Sequence, residues 1–188
     1  DLTLGTNAVS PSNLMSFTGS DFGLTGAVGE PTMDELVRWA RGEDIRDENS
    51  TSNIRYVMGD PLHSQPAAVV YGGTPANPEM VVYTATNDGY LHALDGETGR
   101  ELWSFIPKQL LSNLTRLFFD PNSKYKQYGL DGNLVPIVKD VDRDGIIEQA
   151  DGDFVYLLFG MRRGGNDIFA LDVTVKTAPR LMWKANLP

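Results

Sequence analysis

The sequence contains no cysteine and only two histidines. The first absence excludes disulfides, thiol catalysis and thiolate metal sites, while leaving the compartment open, because many cell-envelope proteins also lack cysteine. The second leaves His63 and His92 to carry any imidazole chemistry. A Ser/His/Asp arrangement built on His63-Ser64 needs an acid and a nucleophile elbow, and no G-x-S-x-G occurs. His92 alternates with Leu91 and Ala93 in an apolar run, the position of a hydrogen-bonded structural residue. No residue is therefore assigned catalysis. Basic residues are also scarce: 16 Lys and Arg stand against 25 Asp and Glu, for a net charge of -9. A chain so charged, with no Lys/Arg run, repels a phosphate backbone, which argues against nucleic acid as a partner. No segment approaches the roughly 18–20 apolar residues that span a bilayer. The opening DLTLGTNAVSPSN lacks the basic start and apolar centre of a signal peptide. It is polar and has no initiator Met, so the chain is read as a piece of a longer protein.

What the sequence does contain is turn chemistry. Nineteen glycines and eleven prolines separate short runs rich in Val, Tyr, Phe and Leu, a pattern of mostly β architecture, and 41% hydrophobic residues suffice for a core. Residues 1–53 form an irregular lead-in containing one helix at 32–41. Thr32 is placed to cap it, Glu35 is its capping-box partner, and Met33, Leu36, Val37 and Ala40 share a face. EDIRDENSTSN at 43–53 is almost free of apolar residues and is expected to be a solvated linker.

From residue 54 onward the pattern is strand and turn. PAAVVYG at 66–72, MVVYTAT at 80–86, GYLHALD at 89–95 and ELWSFIP at 101–107 predict a four-stranded meander, with Asn87-Asp88-Gly89 and Asp95–Gly99 supplying its last two turns. The order returns in NLVPIVK at 133–139, FVYLLFG at 154–160, DIFALDV at 167–173 and RLMWKAN at 180–186. Ala93-Leu94-Asp95 recurs as Ala170-Leu171-Asp172, and Trp103 as Trp183. Four-stranded meanders in tandem are the sequence form of a propeller. The expected fold is therefore mostly β: a partial β-propeller of about two four-stranded antiparallel blades with a short N-terminal helix. Blade 1 spans about 62–107 and blade 2 about 133–187, with a connecting insertion at 107–132 that forms a short helix and a surface loop. Two blades cannot close a ring, so further blades are expected C-terminal to Pro188.

One motif carries site chemistry. Asp140-Val141-Asp142-Arg143-Asp144-Gly145-Ile146-Ile147-Glu148 matches the alternating acids and the glycine of a calcium loop, and Asp151 falls at its twelfth position. Alternate side chains of such a loop converge, Gly145 permits the sharp turn, the Ile146 carbonyl can add a ligand, and Ile147 can anchor the loop. The expected Ca²⁺ ligands are Asp140, Asp142, Asp144, Ile146, Glu148 and Asp151. Hard oxygens suit Ca²⁺ and fit zinc or copper poorly. The alternative is a solvated acidic turn. Arg162-Arg163-Gly164-Gly165 could embrace an anion, but is better read as a hairpin whose arginines pair with the many acids. Trp103 and Trp183 end corresponding strands and are expected to pack blades.

MGDPLHSQPAAVVYG at 58–72, YTATNDGYLHALDGETGRELWSFIP at 83–107 and FGMRRGGNDIFALDVT at 159–174, in that order, resemble the propeller of the PilC/PilY family of type IV pilus tip adhesins. The WARGED segment at 39–44 is similar to what precedes the propeller in that family. The resemblance implies a calcium-binding propeller module exported through the periplasm or cell envelope to the cell surface. There it would sit at the pilus tip with minor pilins, promoting pilus assembly, twitching motility and adhesion to a host surface receptor. The family's calcium loop tied to pilus dynamics lies in a later blade, so only its ligand chemistry carries over to residues 140–151. NDGYLHALDGETGRELW alone also resembles the blade ending of quinone-dependent (PQQ-type) propeller dehydrogenases, which makes such a fragment the alternative.

Overall fold

The computed structural model describes residues 8–9, 11–48, 50, 53–55, 58–119 and 126–188. Eight strands form two four-stranded antiparallel sheets, each a simple meander. The first contains β1 (Ala67–Thr74), β2 (Asn77–Ala85), β3 (Leu91–Asp95) and β4 (Glu101–Phe105). The second contains β5 (Leu134–Lys139), β6 (Phe154–Gly160), β7 (Asp167–Asp172) and β8 (Arg180–Asn186). The mostly β, partial-propeller class expected from the sequence is the fold observed.

The turns follow from the residues that occupy them. Gly89 (φ 105°) closes β2 onto β3, its amide donating to the Thr86 carbonyl at 3.1 Å. Between β3 and β4 the Asp95 carboxylate accepts the Thr98 amide at 2.8 Å and the Thr98 hydroxyl at 2.6 Å, and Gly99 (φ 70°) completes the turn. The repeated triplet has a structural counterpart. In both blades the register slips at the same step, between Ala93 and Leu94 and between Ala170 and Leu171, and the following strand sets Trp103 opposite Ala93 and Trp183 opposite Ala170.

The blades pack face to face. Val69, Val81, Tyr83, Ala93 and Trp103 of the first share one core with Leu134, Val155, Leu157, Phe159 and Leu171 of the second. Phe105 meets Phe159 and Phe169 edge-on at 6.1 and 6.0 Å between centroids. Three aromatic side chains at this interface have their polar atoms paired: the Tyr71 hydroxyl contacts the Tyr83 hydroxyl at 2.7 Å and donates to the Val173 carbonyl at 2.8 Å, and Trp103 Nε1 donates to the Lys176 carbonyl at 2.8 Å. The opposite face of blade 2 is open. Trp103 is 7% exposed, whereas its equivalent Trp183 is 44% exposed and lies with Val135 and Ile137 on uncovered surface.

The lead-in is more structured than its composition suggests. Helix α1 (Met33–Ala40) is capped by Thr32, whose hydroxyl accepts the Glu35 amide at 3.2 Å while the Glu35 carboxylate accepts the Thr32 amide at 2.8 Å. The helix packs with α2 (Asn113–Phe119), from the connecting insertion, and with Phe22 in a second core of Phe22, Leu36, Val37, Trp39, Leu111, Leu114 and Phe118. Phe22 is wholly buried. The expected loop of the insertion falls largely on residues 120–125, outside the described residues. The described residues of segment 43–53, expected to be a solvated linker, fold back onto the lead-in. Glu43 bridges to Ile54, Asp44 donates its amide to Asn53, and Glu48 accepts from Trp39 Nε1 at 3.0 Å. Glu43 and Glu48 are engaged by Arg38 and Trp39 of α1, while residues 46–48, 50 and 53 stay exposed.

Candidate metal centre

Lys139, the last residue of β5, pairs with Phe154, the first of β6, so residues 140–153 form an excursion between paired strands. Its carboxylates organise the loop backbone. Asp140 accepts the Arg143 amide at 2.6 Å with Oδ1 and the Gly145 amide at 2.9 Å with Oδ2. Asp144 accepts the Ile146 amide at 2.8 Å. Arg143 (φ 66°) and Gly145 (φ 85°) both adopt left-handed backbone, which curls the turn around the Asp140 carboxylate that their amides reach. The loop is rooted in the inter-blade core: Ile147 is partly buried there, and its amide donates to the Tyr71 carbonyl of blade 1 at 2.9 Å.

Asp140, Asp142 and Asp153 each bring a carboxylate oxygen to within 4.8 Å of the others. Asp153 was not among the ligands expected from the sequence. It is 4% exposed and braces both ends of the loop, accepting the Val141 amide at 2.8 Å and the Glu148 amide at 3.0 Å. Its only signal in the sequence is an acid immediately before the apolar run of β6. Asp144, Glu148 and Asp151 are not among the three converging residues. Glu148 and Asp151 face one another, and the Ile146 side chain is half exposed beside Gly72 of blade 1.

The electrostatics record crowding. Burial, together with the Asp144 and Asp140 carboxylates, raises the pKa of Asp142, and Asp151, then burial, Asp144 and Asp142 raise that of Glu148. The two backbone amides on Asp153 hold its carboxyl below the ordinary range. Three anionic oxygens in so small a space, with no nitrogen or sulfur donor, match a hard divalent cation.

The two histidines are engaged structurally. His92 is buried, lies 2.7 Å from Glu101 through Nδ1 and stacks on Tyr90, and His63 lies 2.9 Å from the fully buried Asp131. Arg162 (φ 51°) reaches Asp131 at 3.7 Å. Arg163 departs from the expected acid pairing and instead donates to the Tyr128 hydroxyl at 2.9 Å, with its guanidinium over the ring.

No protein-family model matches the chain. It is 29% identical over 193 residues to the type IV pilus biogenesis factor PilY1 homolog of Xylella fastidiosa, covering 90% of this chain and 15% of that protein. It is 28% identical over 207 residues to PilY1 of Pseudomonas aeruginosa strain UCBPP-PA14, covering 96% and 17%, and 30% identical over 181 residues to PilY1 of strain PAO1, covering 84% and 15%. The chain thus spans about a sixth of the length of these relatives. Among solved structures, the crystal structure of the P. aeruginosa PilY1 C-terminal domain aligns over 57% of this chain and 18% of its own, at 30% identity and a TM-score of 0.34. The chain is a homologue of the PilY1 type IV pilus biogenesis factors, as the three sequence segments implied.

Proposed function

We propose that this chain is a calcium-binding β-propeller segment of a type IV pilus biogenesis factor, working by contact rather than catalysis. The observation that carries the metal assignment is the convergence of Asp140 and Asp142, from the head of a D-x-D-x-D-G loop, with Asp153 at its far end, while Asp151 and Asp144 crowd Glu148. The cation relieves that repulsion and stiffens an excursion rooted in both blades. The homologues' names support a role in pilus biogenesis; on this reading the segment is displayed on the cell surface at the pilus tip, contacts minor pilins there and contributes to adhesion. None of those names is that of a quinone-dependent dehydrogenase.

The open face of blade 2 belongs to the same reading. Trp183 stands where Trp103 is covered by a neighbouring blade, so a further blade of the same longer chain is its occupant. Isothermal titration of the metal-free protein with CaCl₂ tests the metal assignment. One saturable site is expected, lost in Asp142→Asn; heats indistinguishable from dilution would refute it.

A further inference from the structure

We propose that the free edge of β4 is a docking strand for an extended segment of a partner protein in which apolar and acidic residues alternate. β4 ends its sheet, and among the described residues no backbone group of 101–106 bonds outside that sheet. Exposed strand edges are usually blunted by lysine, proline or an inward-pointing charge. This one has neither lysine nor proline: Glu101 is the sole charge in 101–106, the first proline is Pro107, and the register slip at Leu102 is the one blunting device it carries. The corresponding edge strand of blade 2, β8, carries Arg180 and Lys184.

The edge faces a cleft of about 1000 Å³ between the two blades and the N-terminal core. Its wall includes the partly exposed Phe17 and Phe105 and the exposed Leu181, which offer apolar seats for side chains of an added strand. Three of its four Asp, Glu, Lys and Arg residues are cationic: Arg41, Lys108 and Lys184, in a chain whose net charge is -9. Lys108 is 71% exposed and braced by Asp21 at 3.1 Å, and Lys184 is 44% exposed and braced by Asp167 at 3.4 Å; neither acid lines the cleft. Arg41 donates to the Val9 carbonyl at 3.1 Å rather than to a carboxylate. The one anion, Glu101, is engaged by His92. Apolar seats beside an unpaired backbone edge, under a cationic rim, fit an extended acidic-apolar strand. At about 3.3 Å per residue, the edge accommodates some six residues.

Phage-displayed random heptapeptides panned on the whole chain, followed by ¹⁵N NMR titration with the synthetic winners, test the proposal. The expected winners alternate Asp or Glu with apolar residues, shift the amides of 101–106, and lose at least tenfold in affinity for Arg41→Glu/Lys108→Glu protein whose NMR spectrum shows that it is still folded. N-methylation on one edge of the peptide abolishes binding, and on the other edge leaves it intact. No enrichment, winners rich in Lys or Arg, insensitivity to N-methylation on both edges, or shifts elsewhere would overturn the docking strand. So would a concentration-dependent dimer in sedimentation that Arg41→Glu/Lys108→Glu dissolves, which would assign the cleft to a second copy.

Discussion

Replacing Asp140 with Asn separates the two roles of that carboxylate, because the substitution keeps one acceptor oxygen and removes the charge. In the metal-free protein two effects oppose each other. One of the amides of Arg143 and Gly145 loses its acceptor, at about 1 kcal/mol, while the repulsion among six acids in 140–153 falls. The melting temperature in chelator should therefore move by only a few degrees. Calcium acts on the native state alone, and at a free concentration a hundredfold above its Kd it adds about 2.7 kcal/mol. For a chain of this length each kcal/mol is worth about 2–4 °C, so the parent should gain roughly 5–11 °C. Asp140→Asn, Asp142→Asn and Asp153→Asn should lose nearly all of that gain, and Asp144→Asn a smaller part. Asp34→Asn, on the surface of α1, should keep the whole gain. Differential scanning fluorimetry in EGTA and in calcium reads every arm. A full shift retained in Asp140→Asn would refute the ligand assignment, and no shift in the parent would refute the site.

Glu148→Gln tests the crowding by its pH dependence. A carboxyl whose folded pKa is raised contributes stability that is present below its unfolded pKa and lost as pH rises through the folded value. In chelator the variant should therefore melt above the parent at pH 7, with the difference closing as pH falls toward 4; equal melting at both pH values would count against it. Tyr71→Phe removes the hydroxyl that joins Tyr83 to the Val173 carbonyl and should cost about 1–3 kcal/mol in urea unfolding, whereas a neutral result would mean the blades do not close on that pair. Gly164→Ala drives a methyl into the Gly129 carbonyl oxygen and should destabilise more than Tyr71→Phe, measured the same way; parental stability would show that segments 129–132 and 162–165 can separate freely.

The strands were legible because each is a short apolar run bounded by residues that turn the chain, and the Ala-Leu-Asp triplets even marked the step at which both sheets slip register. The lead-in was not. Phe22 lies among Gly, Ser and Thr, and its burial depends on α2, about ninety residues along the chain, a contact without local periodicity. At the candidate metal centre, spacing predicted the turn and two of the converging acids, Asp140 and Asp142. It did not reveal Asp153, because that residue lies beyond the twelve-position spacing, just before β6, and its carboxylate is turned inward by the Val141 and Glu148 amides that only the folded loop brings to it. Arg163 was read from net charge, but its nearest partner was an aromatic hydroxyl.

Because the bulge falls at the same step in both meanders, Trp103 and Trp183 come to the same place on equivalent faces. A tryptophan position shared by both units does not by itself encode which neighbour belongs where. Serial order must then be written in what the repeat does not share: the helical insertion after β4, and the acidic excursion whose Ile147 amide finds the Tyr71 carbonyl and so identifies the blade beside it.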